Sequence, residues 1–253
     1  MTHIGGPTAL IEVGEWRVLT DPTFDPPGRH YSFGWGTGSR KRTGPARPPA
    51  DLGPIDAILL SHDHHADNLD ERGRAVLADA PVLLTTEAGA RRLAGVTADV
   101  RGLRPWAETV LTAPGRPPIT VTATPCRHGP PLSRPIVGPV VGFALHWPGQ
   151  EHGVLWMTGD TVLFPALREV PRRLTVDTVL LHLGGVRFPL TGPIRYSLTA
   201  KRAVELCALV QPRTIVPVHY EGWEHFREGR ADVERAFATA PGGLGDRLHW
   251  LPL

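Results

Sequence analysis

Apolar positions along the chain fall into short runs separated by glycine, proline and acidic turns. Residues 9–13 and 16–19 flank Gly14-Glu15 and predict a β-hairpin that leads into a turn at Asp21-Pro22. Residues 55–60 form a nearly continuous apolar run, the pattern of a strand buried on both faces. The pattern then predicts a helix over 70–78, a strand over 81–85, a helix over 87–93 and a strand over 119–124. Residues 140–147 and 153–158 predict two paired strands, 178–183 a strand, 199–210 a helix and 214–218 a last strand. Alternating strands and helices predict an α/β fold, with two halves of similar order meeting near residue 115. Residues 26–54 are dense in Gly, Pro and Arg, with Tyr31, Phe33 and Trp35 interleaved. A segment of that length reads as an ordered loop lying over something, and long loops in compact domains are usually functional.

The predicted strands repeatedly end in histidine or aspartate. The run over 55–60 delivers Ser61-His62-Asp63-His64-His65-Ala66-Asp67-Asn68, the strand over 119–124 leads to His128, the strand over 153–158 to Asp160, and the last strand to His219. Ligands of α/β proteins collect at the carboxyl ends of strands, so this recurrence points to a single site.

Composition narrows the chemistry. The 253 residues, 41% hydrophobic and 21% charged, suit one globular domain spanning 1–253. A net charge of +2 without long runs of one sign argues against a nucleic-acid partner. The two cysteines, Cys126 and Cys207, form no C-x-x-C pair, so any metal must be held by His, Asp or Glu. No stretch approaches the roughly 18 apolar residues of a membrane span, and the amino terminus carries no charged-then-apolar leader, which predicts a cytoplasmic protein. There is no Gly-x-Ser-x-Gly elbow, and Gly184-Gly185 and Gly242-Gly243 are too sparse to cradle a phosphate.

Three histidines and two aspartates within six positions directly after a buried-type strand are hard to explain as a solvated turn. His-x-His after a strand places two imidazoles where they can bind one metal at about 2.0–2.1 Å. Asp67 supplies a hard oxygen ligand for a second metal, and Asn68 can orient it through a hydrogen bond.

Residues 59–67, Leu-Leu-Ser-His-Asp-His-His-Ala-Asp, resemble the H-x-H-x-D-H signature of the metallo-β-lactamase superfamily. Leu19-Thr20-Asp21-Pro22 resembles its first motif, His128 its third, Thr158-Gly159-Asp160-Thr161 its fourth and Val216-Pro217-Val218-His219 its last, so the likeness spans essentially the whole chain. Within the superfamily the chain is most similar to the branch of the ascorbate-6-phosphate lactonases and the phospholipase D that releases N-acylethanolamines. The resemblance implies an α/β four-layer αββα sandwich, with the metals at one edge between the sheets. It also implies a hydrolase with one or two Zn2+ ions, manganese or iron being served by the same donors, and the leading reading is cleavage of an ester, lactone or phosphodiester bond of a small metabolite by a metal-activated water. His62, His64 and His128 would hold the first metal, Asp67 and His219 the second, and Asp160 would bridge them. The chain departs from the pattern in one place: His65 and Ala66 separate His64 from Asp67, and Asn68 stands where a second-metal histidine belongs. Either His65 supplies the missing imidazole or the second metal is held more weakly.

A bound divalent ion makes water nucleophilic near neutral pH, so no protein nucleophile is required. Asp67 or Asp160 would orient that water. Asp21 would accept a proton from a ligand imidazole and fix its tautomer, or would serve simply as a turn residue before Pro22. Substrate contacts are expected from His182, Arg187, Arg195, Tyr196, Trp223 and His225, all near metal-bearing strand ends. The competing readings are an iron oxidoreductase on the same fold, a nuclease, and a non-catalytic binding protein. The sequence leaves the oligomeric state open.

Overall fold

The computed structural model describes residues 1–252. Strands β1 (Thr2–Gly5), β2 (Thr8–Val13) and β3 (Trp16–Thr20) form an antiparallel meander. β4 (His30–Gly34) and β5 (Thr37–Arg40) make a separate hairpin. β6 (Ala57–Leu59), β7 (Val82–Thr86) and β8 (Asp99–Leu103) extend the first sheet with parallel pairing, in the order β1-β2-β3-β6-β7-β8. Helices α1 (Glu71–Val76) and α2 (Glu87–Arg92) follow β6 and β7. β9 (Glu108–Leu111), β10 (Ile119–Pro125), β11 (Val141–His146), β12 (Val154–Met157), β13 (Val176–His182) and β14 (Thr214–Val218) build the second sheet, in the order β14-β13-β12-β11-β10-β9. Its helices are α3 (Arg134–Val137), α4 (Val170–Arg173), α5 (Ala200–Val210) and α6 (Arg230–Ala238).

The period-two geometry of strands explains the layering. In and just beyond β6, Ala57 and Leu59 enter the core between the sheets, where they join Val121, Phe143 and Met157, while Ile58 and Leu60 enter the core that packs Leu69, Val76 and Leu77 against the first sheet. In β13, Leu180 faces the inter-sheet core, and Val179 and Leu181 pack against Ala203, Leu206 and Phe237 of α5 and α6. Each such Leu, Ile or Phe contributes about 1.5–3 kcal/mol through burial. The result is an αββα sandwich.

Helix starts obey simple capping chemistry. Asp70 caps α1 by accepting from the Gly73 N–H at 2.8 Å, and Thr86 caps α2 by accepting from the Gly89 N–H at 2.9 Å. α1 is shorter than predicted, because residues 77–79 tighten into a 3-10 turn. The short edge strands β1, β8 and β9, and helix α6, carry mixed patterns and were not predicted. The segment over 26–54 also differs from expectation, since it contains the β4–β5 hairpin. Tyr31 and Phe33 alternate with exposed residues, and the connection turns through Gly34, Trp35 and Gly36 at φ 83°, 52° and 74°. No helix among the described residues is long and apolar enough to cross a membrane.

Antiparallel β10–β11 and β11–β12 pairs, followed by parallel β12–β13 and β13–β14 pairs, send β10, β12, β13 and β14 in one direction. Their carboxyl ends therefore share one edge of the second sheet, and β3 and β6 of the first sheet end against it.

Candidate metal centre

The turn after β6 brings two imidazoles to the loop after β10. His65 Nδ1 lies 3.1 Å from His62 Nε2 and 3.1 Å from His128 Nε2. The His128 Nδ1–H donates to the Tyr196 carbonyl at 2.6 Å, which leaves Nε2 with its lone pair facing the cluster. His64 turns aside: its Nε2–H donates to the Val137 carbonyl, while Nδ1 stays buried without a hydrogen-bond partner. The imidazoles of His62, His64 and His65 still offer donor atoms within 4.8 Å of one another. Gly138, at φ 68°, makes room for the His64 ring, since a Cβ there would sit 2.4 Å from Cε1.

A second group shares the same edge. His219 Nε2 lies 3.5 Å from Asp67 Oδ2 and 3.4 Å from Asp160 Oδ2, and the His219 Nδ1–H donates to the Leu183 carbonyl at 3.2 Å. Asp160 belongs to both groups, because its carboxylate also lies within 4.8 Å of donor atoms of His62 and His128. The loops carrying His128 and Asp160 are laced together, with the Arg127 N–H donating to Thr161 Oγ1 at 3.1 Å and the Val162 N–H to the Arg127 carbonyl at 2.8 Å. Asp21 and His219 hold left-handed backbone at φ 30° and 57°, a strain of about 1–3 kcal/mol each that positions side chains at such sites.

Both Asp160 oxygens, Asp67 Oδ1 and His219 Nε2 are buried without any hydrogen-bond partner. Carboxylate oxygens in a folded interior are met by a donor, an ordered water or an ion, and two carboxylates and an imidazole nitrogen converging here suit an ion. Burial and the neighbouring imidazoles push His62 and His65 well below the ordinary imidazole value, so both are neutral donors. Burial opposes charge on His219 as well, yet Asp160 and Asp67 push it up to about 9. The imidazoles of His219 and His225 hold Asp67 well below the usual carboxylate range despite its burial. The edge therefore stabilises positive charge between two carboxylates and offers neutral nitrogen lone pairs beside it, which is the donor set a divalent cation requires.

Behind the cluster, Asp21 accepts from the Ser61 N–H at 2.7 Å and from Asn68 Nδ2 at 3.2 Å, and it meets His182 Nε2 at 3.2 Å. His182 in turn stacks on His219 with ring centroids 5.8 Å apart. Asp21 thus reaches the cluster through His182 rather than by touching a clustered imidazole itself. Farther out, buried Lys41 of the hairpin region pairs with Asp70 at 2.8 Å and ties that region to the start of α1.

A cavity of about 140 Å3 opens beside the cluster, walled by His65, Asp67, His128, His225, Tyr196 and the apolar groups of Phe33, Val137, Val186 and Phe188. Trp35, 77% exposed, stands at its rim. Of the six substrate candidates, Tyr196 and His225 line this space. His182 is fully buried behind it, Trp223 packs on Tyr31 and Phe33, Arg195 donates to the Gly185 carbonyl at 3.3 Å beside a different cleft, and the Arg187 side chain forms no part of the wall. The wall residues Val186 and Phe188 were not singled out from sequence, whereas Phe33 and Trp35 belong to the aromatic segment expected to lie over something, though not to the expected substrate contacts.

Residues 16–220 match the model of the beta-lactamase superfamily domain. A UPF0173 metal-dependent hydrolase of Caldivirga maquilingensis is 26% identical over 224 residues, covering 86% of this chain and 80% of that protein. Two solved structures share the fold: a possible metal-dependent hydrolase from Veillonella parvula, at TM-score 0.80, 18% identity and coverage of 100% and 95% of the two chains, and the isothiocyanate hydrolase from Delia radicum gut bacteria, at 0.79, 20%, and 98% and 94%. With the αββα sandwich and the edge-on cluster in place, the match over most of its length establishes that this chain belongs to the beta-lactamase superfamily domain family and has the metallo-β-lactamase fold.

Proposed function

We propose that this chain is a metal-dependent hydrolase that cleaves an ester or lactone bond in a small, uncharged metabolite. The observation that carries the reading is the pair of donor groups sharing Asp160 beside a cavity. His62, His65 and His128 would hold one ion, so that His65 takes the place the resemblance gave to His64. Asp67 and His219 would hold a second, with Asp160 between them. Zinc is the ion proposed, on the ground of neutral imidazoles with carboxylates and no thiolate.

A divalent ion so held would supply a water acidified to near neutrality, together with polarisation of the substrate's carbonyl oxygen. The chain's own residues do the rest. Asp160, with both oxygens free of hydrogen bonds, and Asp67 Oδ1 would orient the attacking water, and Asp67 Oδ1 would take its proton. Tyr196 holds His128 through its carbonyl, and Phe33 and Phe188 exclude bulk water from the reacting face.

The wall contains no lysine or arginine. A phosphodiester's charge would have to be met by the held ions alone, with no lysine or arginine on the wall to share it, so an ester or lactone is favoured over it. The volume suits a small molecule rather than a polymer. Names of relatives agree at the level of the reaction class, since the Caldivirga maquilingensis protein is called a metal-dependent hydrolase.

Elemental analysis of the purified protein, with a parallel screen of lactones, carboxylic esters, isothiocyanates and phosphodiesters, tests the reading. Zinc with ester or lactone turnover that a chelator abolishes is expected. Tightly bound iron without hydrolytic turnover overturns it in favour of redox chemistry, and undiminished activity after chelation removes the metal from the mechanism.

A further inference from the structure

Asn68 occupies the position at which the resemblance places a histidine for the second ion, and its side chain is turned away, with Nδ2 donating to Asp21 Oδ2 at 3.2 Å. The imidazole that faces Asp67 comes from elsewhere in the chain. His225 Nε2 lies 2.9 Å from Asp67 Oδ2, the same oxygen that His219 Nε2 approaches at 3.5 Å. We propose that His225 is a ligand of the cation held by Asp67 and His219, supplying the imidazole that Asn68 lacks; this rests on the metal-dependent reading above.

The geometry suits a shared ion. Ligand atoms placed tetrahedrally at about 2.0–2.1 Å from one zinc lie roughly 3.3 Å from each other. The two contacts to Asp67 Oδ2 bracket that spacing. The His225 ring is also held in place by packing that leaves it no other polar partner. It stacks on Phe188 with centroids 5.1 Å apart and planes within 9°, and it touches Phe33 at 5.1 Å and Trp223 at 5.7 Å. Its Nδ1 is buried and forms no hydrogen bond, so the contact with Asp67 is the ring's one polar contact among the described residues. Its backbone is fixed on both sides, the N–H donating to Ser39 Oγ at 3.3 Å and the carbonyl accepting from the Arg187 N–H at 3.1 Å. A side chain merely packing the wall would not need its nitrogen aimed at a carboxylate whose other oxygen has no partner.

The test compares wild type with His225→Phe, which keeps the stack on Phe188 but has no nitrogen, and His225→Gln, which keeps an N–H donor toward Asp67 but not an imidazole. Chelator-stripped proteins are titrated with Co2+, with visible absorption and elemental analysis read together. Wild type is expected to take up two equivalents and both variants one, with the second dissociation constant raised more than about 100-fold, beyond the 10–100-fold that loss of an outer hydrogen bond costs. Two equivalents in His225→Phe within tenfold of wild-type affinity overturn the proposal, and so does wild-type affinity in His225→Gln, which marks a positioning residue. If wild type itself takes up one ion, the proposal falls and a single-ion hydrolase stands; if it takes up none, both fall. A crystal structure of the cobalt-loaded wild type needs no variant: His225 Nε2 within about 2.3 Å of the second ion supports the assignment, and an imidazole clear of the ion overturns it.

Discussion

His65 Nδ1 meets His128 Nε2 at 3.1 Å although 63 positions separate the two residues in the chain. On this contact we take His65, rather than His64, to close the first donor group. Replacing His65 by Ala is expected to remove one ion and to lower kcat/KM by more than about 100-fold, since outer partners alone are worth 10–100-fold. His64→Ala, which loses a hydrogen bond to the Val137 carbonyl, is expected to stay within about tenfold. Metal content and steady-state kinetics of the two variants, measured together, check the assignment, and the reverse ranking refutes it.

Buried carboxylates without partners make the empty cluster costly. An ion present at about 1,000 times its dissociation constant adds roughly 4 kcal/mol of stability. In a chain of this size that corresponds to a melting temperature roughly 8–16 °C higher than after chelation. Calorimetry with and without chelator, followed by re-addition of Zn2+, should show the gain, and Asp160→Asn should shrink it. Equal melting temperatures in all three states would count against the cluster as a metal site.

The pair of Lys41 and Asp70, 2.8 Å apart and almost wholly buried, anchors the hairpin region to α1. Removing one partner of such a pair typically costs about 3–5 kcal/mol, because the other charge is left buried and alone. Here Asp70 keeps three backbone donors, from Phe24, Asp25 and Gly73, so the lower end of that range is expected for Lys41→Met. Urea unfolding of the chelated protein measures this directly.

Acid sensitivity should have an identifiable local source in Asp25. Burial would raise its carboxyl, but the Tyr31 hydroxyl, donating at 2.5 Å, and the N–H groups of Arg72 and Glu71 hold it below the ordinary value of 3.8. The unfolded chain then binds more protons than the folded one in that range, so this contribution is fully present above pH 3.8 and is lost as pH falls through the lower, folded value. Metal-free wild type is expected to lose stability below pH 3.8 more steeply than metal-free Asp25→Asn, by urea midpoints against pH.

Apolar walls with no lysine or arginine predict a substrate series. Each methylene added to the acyl group of an ester is expected to raise kcat/KM about fourfold, from roughly 0.8 kcal/mol of burial, until the cavity of about 140 Å3 is filled. A carboxylate of the same size at the chain end should reverse the gain. A flat series, or a preference for the anionic acyl group, would locate the substrate elsewhere.

Period-two burial of residues such as Ala57, Ile58, Leu59 and Leu60, and the return of His or Asp at one strand end after another, were determined by the sequence alone, because the alternation of a strand's faces and the direction of its end follow from local geometry. The meeting of His65 with His62 and His128, the approach of His225 to an aspartate 158 positions away, and the detour of Asp21 through His182 were decided only by the tertiary structure. Each depends on how a turn aims its side chains, and the turns at Asp21 and His219 adopt left-handed backbone that Asp and His tolerate better than most residues but that local preference does not fix. The cavity wall was hidden for a similar reason: Phe33 and Phe188 become neighbours only once the β4–β5 hairpin folds across the sheet edge.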